Sequence, residues 1–165
     1  MKVEIREYEP GDRARLIEIM EAFQDYLANI DGMKRLRRMP EYGESYVDRL
    51  LRNVEDNSGV IYLAEYEGQI IGLVAIIIEK QSESDLLECI PSKCGRILEL
   101  YVEPELRKQG IGKLLIENSE EFAKQQGCDI VRIEVFEPNT NAHHLYIELG
   151  YQDRLIDMIK KIPDL

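Results

Sequence analysis

Gly110 and Gly112 stand one residue apart, behind Arg107-Lys108-Gln109 and ahead of Lys113 and an apolar run at helical spacing. A turn of this kind suits an anion. Glycine lets the backbone bend tightly and lets a ligand approach without a Cβ in the way. The first N–H groups of a helix lack internal partners and lie at the positive end of its dipole, so they fit a pyrophosphate. Arg107 and Lys108 add charge for phosphate oxygens. Two glycines at this spacing also fit an ordinary loop-to-helix junction. A Walker-type loop requires GxxxxGK followed by Ser or Thr. Here Gly112-Lys113 is followed by Leu114, and residue 107 is an arginine. A dinucleotide fingerprint is tempting, because Glu134 lies at a suitable distance beyond the glycines. It fails on three counts: Pro104 to Gln109 make too long a lead-in, Leu115 holds the third glycine position, and only one βαβ unit follows from the sequence.

A strand must deliver this turn and a helix must carry it away. RILELYVE (96–103) reads as the strand. Ile111, Leu114, Leu115, Phe122 and Ala123 mark the helix, which ends at Gly127. Glu120 and Lys124 are spaced to pair across one of its turns. Residues 129–136 (DIVRIEVF) form the next strand. Asn141 caps a short helix carrying Ala142, Leu145, Tyr146 and Leu149, stopped by Gly150, and a last strand pattern runs from about Leu155 to Ile162. Upstream, residues 2–8 alternate as a strand. Asp12, behind Pro10-Gly11, offers a cap to a helix with Leu16, Met20, Phe23 and Leu27, ending near Asp31-Gly32. A basic cluster, Lys34 to Arg38, is closed by Pro40. A second helix runs from Tyr42 to Val54 with Tyr46, Leu50, Leu51 and Val54 on one side. Strands 60–66 and 69–79 meet at a Glu67-Gly68 hairpin turn, and the second is apolar on both faces, so it belongs in the middle of a sheet. Residues 80–95 read as a long polar loop. The order β-α-α-β-β-β-α-β-α-β predicts an α/β chain of the α+β mixed-sheet kind. Antiparallel strands come first, one βαβ crossover comes later, helices flank the sheet, and one domain covers 1–165.

LYVEPELRKQGIGKLL resembles the signature of the GNAT superfamily of acyl-CoA-dependent N-acyltransferases, Arg/Gln-x-x-Gly-x-Gly/Ala, with Arg107, Gly110 and Gly112 in the matching places. Asn139-x-x-Ala142-x-x-Leu145-Tyr146, followed by Leu149-Gly150-Tyr151, is similar to a second element of that family. The resemblance implies a GNAT-like fold and transfer of an acetyl group from acetyl-CoA to a primary amine. A domain of the same fold that senses acyl-CoA or binds a partner without catalysis is the alternative. The resemblance places the pantetheine arm beside Leu100, Tyr101 and Val102, pairing with the backbone as an added strand would. It places the pyrophosphate on the N–H groups of Arg107, Lys108, Gln109, Gly110, Ile111, Gly112 and Lys113, and the cofactor arm against Asn139.

Tyr146 matches the tyrosine that family members use as general acid toward the departing thiolate. A thiol has a pKa of about 8.5 and a tyrosine of about 10, so a phenol in reach can supply that proton. A half-buried core tyrosine has the same spacing. The attacking amine must lose a proton, because only about one lysine-like amine in a thousand is neutral near pH 7.4. Glu134, matching a glutamate with this role in protein N-terminal acetyltransferases of the family, and Glu99 on the neighbouring strand are the candidate bases, Glu134 ahead of Glu99. Attack is direct, with the Val102 N–H polarising the thioester carbonyl. Cys128 lacks a paired base and reads as packing.

Composition limits the other functions. The chain has 165 residues, 44% of them hydrophobic, with 21 basic and 32 acidic side chains and a net charge of −11. That balance disfavours nucleic acid, which requires a basic footprint. Cys89, Cys94 and Cys128 do not suggest a disulfide framework, and the adjacent His143 and His144 do not suggest a metal site. No apolar signal region opens the sequence, and the run Ile70–Ile78 is too short to span a membrane. The expectation is a cytoplasmic protein without metal or membrane attachment, compatible with a homodimer. The acceptor would be set by residues 20–55 and 79–95. There the Lys34–Arg38 cluster favours an anionic group, while the overall negative charge favours a cationic acceptor.

Overall fold

The computed structural model describes residues 2–162. Its strands are β1 (Glu4–Glu7), β2 (Val60–Tyr66), β3 (Gln69–Lys80), β4 (Lys93–Val102) and β5 (Ile130–Ile133). Its helices are α1 (Arg13–Ile30), α2 (Tyr42–Asp56), α3 (Asp85–Glu88), α4 (Ile111–Gln125) and α5 (Thr140–Glu148). Among the described residues these five strands form one sheet in the order β1-β2-β3-β4-β5. All neighbours are antiparallel except β4 and β5, which the α4 crossover makes parallel. Glu67 and Gly68 both take positive φ, and Tyr66 pairs with Gln69, so β2 and β3 meet in the two-residue turn expected of a tight hairpin.

β3 sits in the middle, as its two-sided apolar sequence demands, and Ile71 to Ile78 are buried with Gly72 among them. One face of the sheet is covered by α1 and α2, which bring Leu16, Ile19, Met20, Val47 and Leu50 against Ile61, Leu63, Leu73, Ala75 and Tyr101. The other face is covered by α4, with Ile111, Leu115, Ile116 and Ala123 against Ala64, Val74, Ile76, Ile97 and Val102. Tyr146 of α5 closes the edge of this second core.

Several expectations need correction. Asp12 does not cap α1 through its side chain: a 3-10 turn at Pro10–Asp12 precedes the helix, and the carboxylate turns back to Arg6 and the Glu9 N–H. β4 begins three residues early, at Lys93, and the loop before it contains α3. Asn139, not Asn141, is the N-cap of α5. Glu120 does not pair with Lys124; it accepts from the Tyr151 hydroxyl, and Lys124 lies 3.8 Å from Glu121. The strand expected at 155–162 is absent, and Leu155, Ile156, Met158, Ile159 and Ile162 are exposed. The doublets Leu155-Ile156 and Met158-Ile159 put apolar groups on both faces, so this segment has no single buried face to set a register.

β5 is also shorter than expected. Its pairing with β4 runs from Cys94↔Ile130 to Ile97↔Ile133 and stops. At the same level the β3–β4 ladder skips a residue: Ile76 faces Ile97 and Ala75 faces Glu99, leaving Leu98 as a bulge. A bulge re-aims side chains and bends the strand away from a neighbour. Beyond it, β4 and the segment after β5 diverge, and the sheet opens as a wedge.

Candidate active site

The wall of the wedge formed by β4 presents free backbone groups. Glu103 N–H donates to Ile71 O at 2.9 Å, on the β3 side. Strand alternation therefore turns the N–H and C=O groups of Leu100 and Val102 to the opposite, open edge. The Val102 carbonyl is taken by Arg107, whose Nε donates to it at 2.9 Å. The Val102 N–H faces the wedge, where a thioester carbonyl would need a donor.

At the mouth of the wedge lies the glycine turn. Gly110 has φ of 84° and N-caps α4, and an added Cβ would meet nothing within 4 Å. The demand for glycine there is conformational, and the space in front of it is open. The Leu114 N–H reaches Gly110 O at 3.0 Å, which leaves the earlier N–H groups of the turn pointing outward at the positive end of a 15-residue helix. Gly112 serves a different purpose from the one expected. A Cβ there would lie 3.2 Å from the Leu145 side chain, so this glycine lets α4 and α5 pack closely. Arg107 is also reassigned. Its guanidinium lies over the Tyr26 ring at 4.7 Å and reaches back to Val102, instead of projecting toward phosphate oxygens. The turn itself offers free backbone N–H groups, with Lys108 exposed beside it and Lys113 Nζ 3.7 Å from Glu117.

The inner end of the wedge opens into a pocket of ≈ 250 Å³ between α1, α2, β4, the segment following β5, and α5. Glu99 and Tyr146 both line it, as do Tyr42, Tyr46, Glu134 and Asn139. The bulge explains why Glu99 is there. Ile97 packs toward α4, and the extra residue reverses the phase of the strand, so that Glu99 turns toward α2. Burial pushes the Glu99 carboxyl up to about 7, opposed by the hydroxyl that Tyr46 donates to it and by the charge of Arg49. Tyr146 is 7% exposed, and burial followed by the charge of Glu99 pushes its phenol up, so it stays protonated at neutral pH. A protonated phenol and a carboxyl near neutrality in one cleft are chemically suited to giving and taking a proton.

The two candidate carboxylates lie in different surroundings. Glu134 lies past the last paired residue of β5, with its side chain 66% exposed, and is 2.8 Å from Arg96 and 3.3 Å from Arg132. Both guanidinium groups meet the same Glu134 oxygen, Oε1, and hold its charge at the exposed rim, whereas the buried Glu99 meets one phenol. Asn139 lines the pocket, and its Oδ1 accepts from the Tyr26 hydroxyl at 3.2 Å. Tyr26 therefore touches both the arginine behind the turn and the cap of α5. The sequence places Tyr26 and Tyr46 in the acceptor-setting region 20–55, but their contacts with Arg107, Asn139 and Glu99 join separate elements and leave no local signal. Among the described residues no group of His, Cys, Asp or Glu is placed to hold a metal ion, and no helix is long and apolar enough to cross a membrane.

Residues 17–151 match the model of the Acetyltransferase (GNAT) family. An uncharacterized N-acetyltransferase of Methanocaldococcus jannaschii is 30% identical over 122 residues, covering 71% of this chain and 50% of that protein. The thialysine N-epsilon-acetyltransferase of Bos taurus is 44% identical over 55 residues, 33% of this chain and 32% of that protein. The chain thus spans half or less of the length of these curated relatives. A solved structure of a predicted acetyltransferase with acetyl-CoA from Clostridium acetobutylicum superposes with a TM-score of 0.74 at 17% identity, covering 96% of each chain. At that identity the likeness shows the fold.

Proposed function

Because the chain belongs to the acetyltransferase (GNAT) family, we propose that it moves an acetyl group from acetyl-CoA to a primary amine by direct attack. The observation that carries this reading is the wedge. Where the sheet opens, a pocket holds Glu99 and Tyr146, and β4 runs on from that pocket toward the turn whose N–H groups are free. Acetyl-CoA supplies the activated acyl group as a thioester. The open edge at Leu100 and Val102 suits its amide-bearing arm, and the turn from Lys108 to Lys113 suits its pyrophosphate.

The side chains then divide the proton work. Glu99 takes a proton from the acceptor ammonium, leaving a nitrogen lone pair. The Val102 N–H stabilises charge on the carbonyl oxygen while the C–N bond forms and the C–S bond breaks. Tyr146 gives its proton to the departing sulfur and regains, through solvent, the second proton that the nitrogen sheds as it becomes an amide, while Glu99 returns its own to solvent. No covalent acyl-enzyme is involved, and Cys128, which burial pushes up, takes no part. The free thiols Cys89, Cys94 and Cys128 suit a reducing cytoplasmic setting.

The test is release of free coenzyme A from acetyl-CoA in the presence of amino acids, polyamines, aminoglycosides and peptide N-termini. Turnover with at least one amine class is expected. Tight acetyl-CoA binding with no turnover for any of them would instead support a sensor that keeps the fold.

A further inference from the structure

Glu99 is turned into the cleft from β4, but the group that holds it there comes from another layer. The Tyr46 hydroxyl, on α2, donates to Glu99 Oε1. The ring that carries this hydroxyl is clamped on two sides. Tyr42, one helical turn earlier, stacks on it with centroids 5.1 Å apart at 27°. The Arg49 guanidinium lies 4.9 Å from its centroid. A phenol fixed in this way aims one donor at one oxygen and leaves the second carboxylate oxygen to the cleft.

We propose that Tyr46 is a positioning residue for the transfer reaction, holding the Glu99 carboxylate in the orientation and charge state in which it can take a proton. The proposal rests on the reading of Glu99 as the base. Burial alone favours a neutral carboxyl, which cannot accept the acceptor's proton. A hydrogen bond from a neutral donor favours the ionised form and offsets part of that cost. Tyr46 can serve as this donor at any physiological pH, because burial and the nearby Glu99 charge push its own phenol far up. The other ionisable groups facing Glu99 do not replace it. Tyr42 and Arg49 of α2 touch the Tyr46 ring, Tyr146 of α5 is reserved for the sulfur, and Glu134 beyond β5 is paired with Arg96 and Arg132. α1 contributes Phe23, Gln24 and Leu27 to the pocket, none of them ionisable. The consequence is that α2, an acceptor-side helix, controls the base.

The test compares pH profiles of kcat/KM for the wild type, Tyr46→Phe and Glu99→Gln, using the best amine from the panel. Carbon-13 NMR of the Glu99 carboxyl in free wild type and Tyr46→Phe gives a readout that needs no acceptor. Loss of one hydrogen bond to a charged group corresponds to about one pH unit. The expected result is an acidic limb that moves up by about that much in Tyr46→Phe and disappears in Glu99→Gln, with the carboxyl resonance titrating higher in Tyr46→Phe. An unmoved limb and resonance in Tyr46→Phe, with the limb lost in Glu99→Gln, would overturn the role of Tyr46 and leave Glu99 as the base. An acidic limb that survives in Glu99→Gln would overturn the base reading and this proposal with it.

Discussion

The two ends of the wedge offer different kinds of groups to a ligand. The donor end uses backbone: an open strand edge, a left-handed glycine and the N-terminus of α4, all within the continuous segment Leu100–Lys113. The acceptor end offers side chains from three separate elements, with Tyr46 on α2, Glu99 on β4 and Tyr146 on α5. Backbone recognition tolerates varied side chains but is intolerant of altered dihedrals. Side-chain recognition shows the opposite sensitivity. Substitutions at the two ends should therefore separate binding of acetyl-CoA from turnover.

The largest effect is expected at Gly110. Gly110→Asp forces a β-carbon into φ of 84° and sets a negative charge before the helix N-terminus. Strain and repulsion together predict a loss of acetyl-CoA affinity of at least about 100-fold by calorimetry. Unchanged affinity would remove the turn as a phosphate site. Tyr146→Phe is next: kcat should fall about 100-fold while acetyl-CoA affinity stays within about twofold. Equal rates in the two proteins would dismiss Tyr146 as the acid.

Glu99→Gln should lower kcat/KM by about 10- to 100-fold above neutral pH. It should also change stability in the opposite sense. The folded-state value of about 7 lies above the ordinary glutamate value of 4.5. The wild type therefore loses stability as pH rises between these two values, whereas the glutamine variant does not. Denaturant unfolding should show a relative gain for Glu99→Gln of about 2–3 kcal/mol on going from pH 4 to pH 8. A constant difference across that range would mean that Glu99 is not held in a desolvated site. The smallest effect belongs to Glu134→Gln, with rates within about twofold of wild type, because its charge serves Arg96 and Arg132 at the rim. A drop matching that of Glu99→Gln would reverse the ranking of the two carboxylates.

The same contrast governs what could be read from the sequence. Gly110 and the apolar spacing behind it were legible because the turn, the cap and the helix are local features of one segment. β3 was legible as the central strand because burial on both faces leaves a continuous apolar run. The bulge at Leu98 was not, since it arises from the pairing of Ile76 and Ala75 with a strand more than 20 residues away. Without the bulge, Glu99 and Glu134 both read as strand-face carboxylates with Glu134 ahead, and Tyr46 looked like one more apolar-face residue of α2. The inward turn of Arg107 was hidden for a similar reason: its partner ring, Tyr26, lies on α1. The residues 155–162 show the reverse error, where apolar content suggested a strand but no pairing partner formed one.

The most direct measurement is the amide NMR spectrum of the free protein titrated with acetyl-CoA. The largest shifts are expected on Leu100 and Val102 at the open edge and on Lys108 to Lys113 in the turn, while amides of β1 and β2 stay in place. Saturable binding with the Leu100, Val102 and Gly110 resonances unmoved would contradict this expectation.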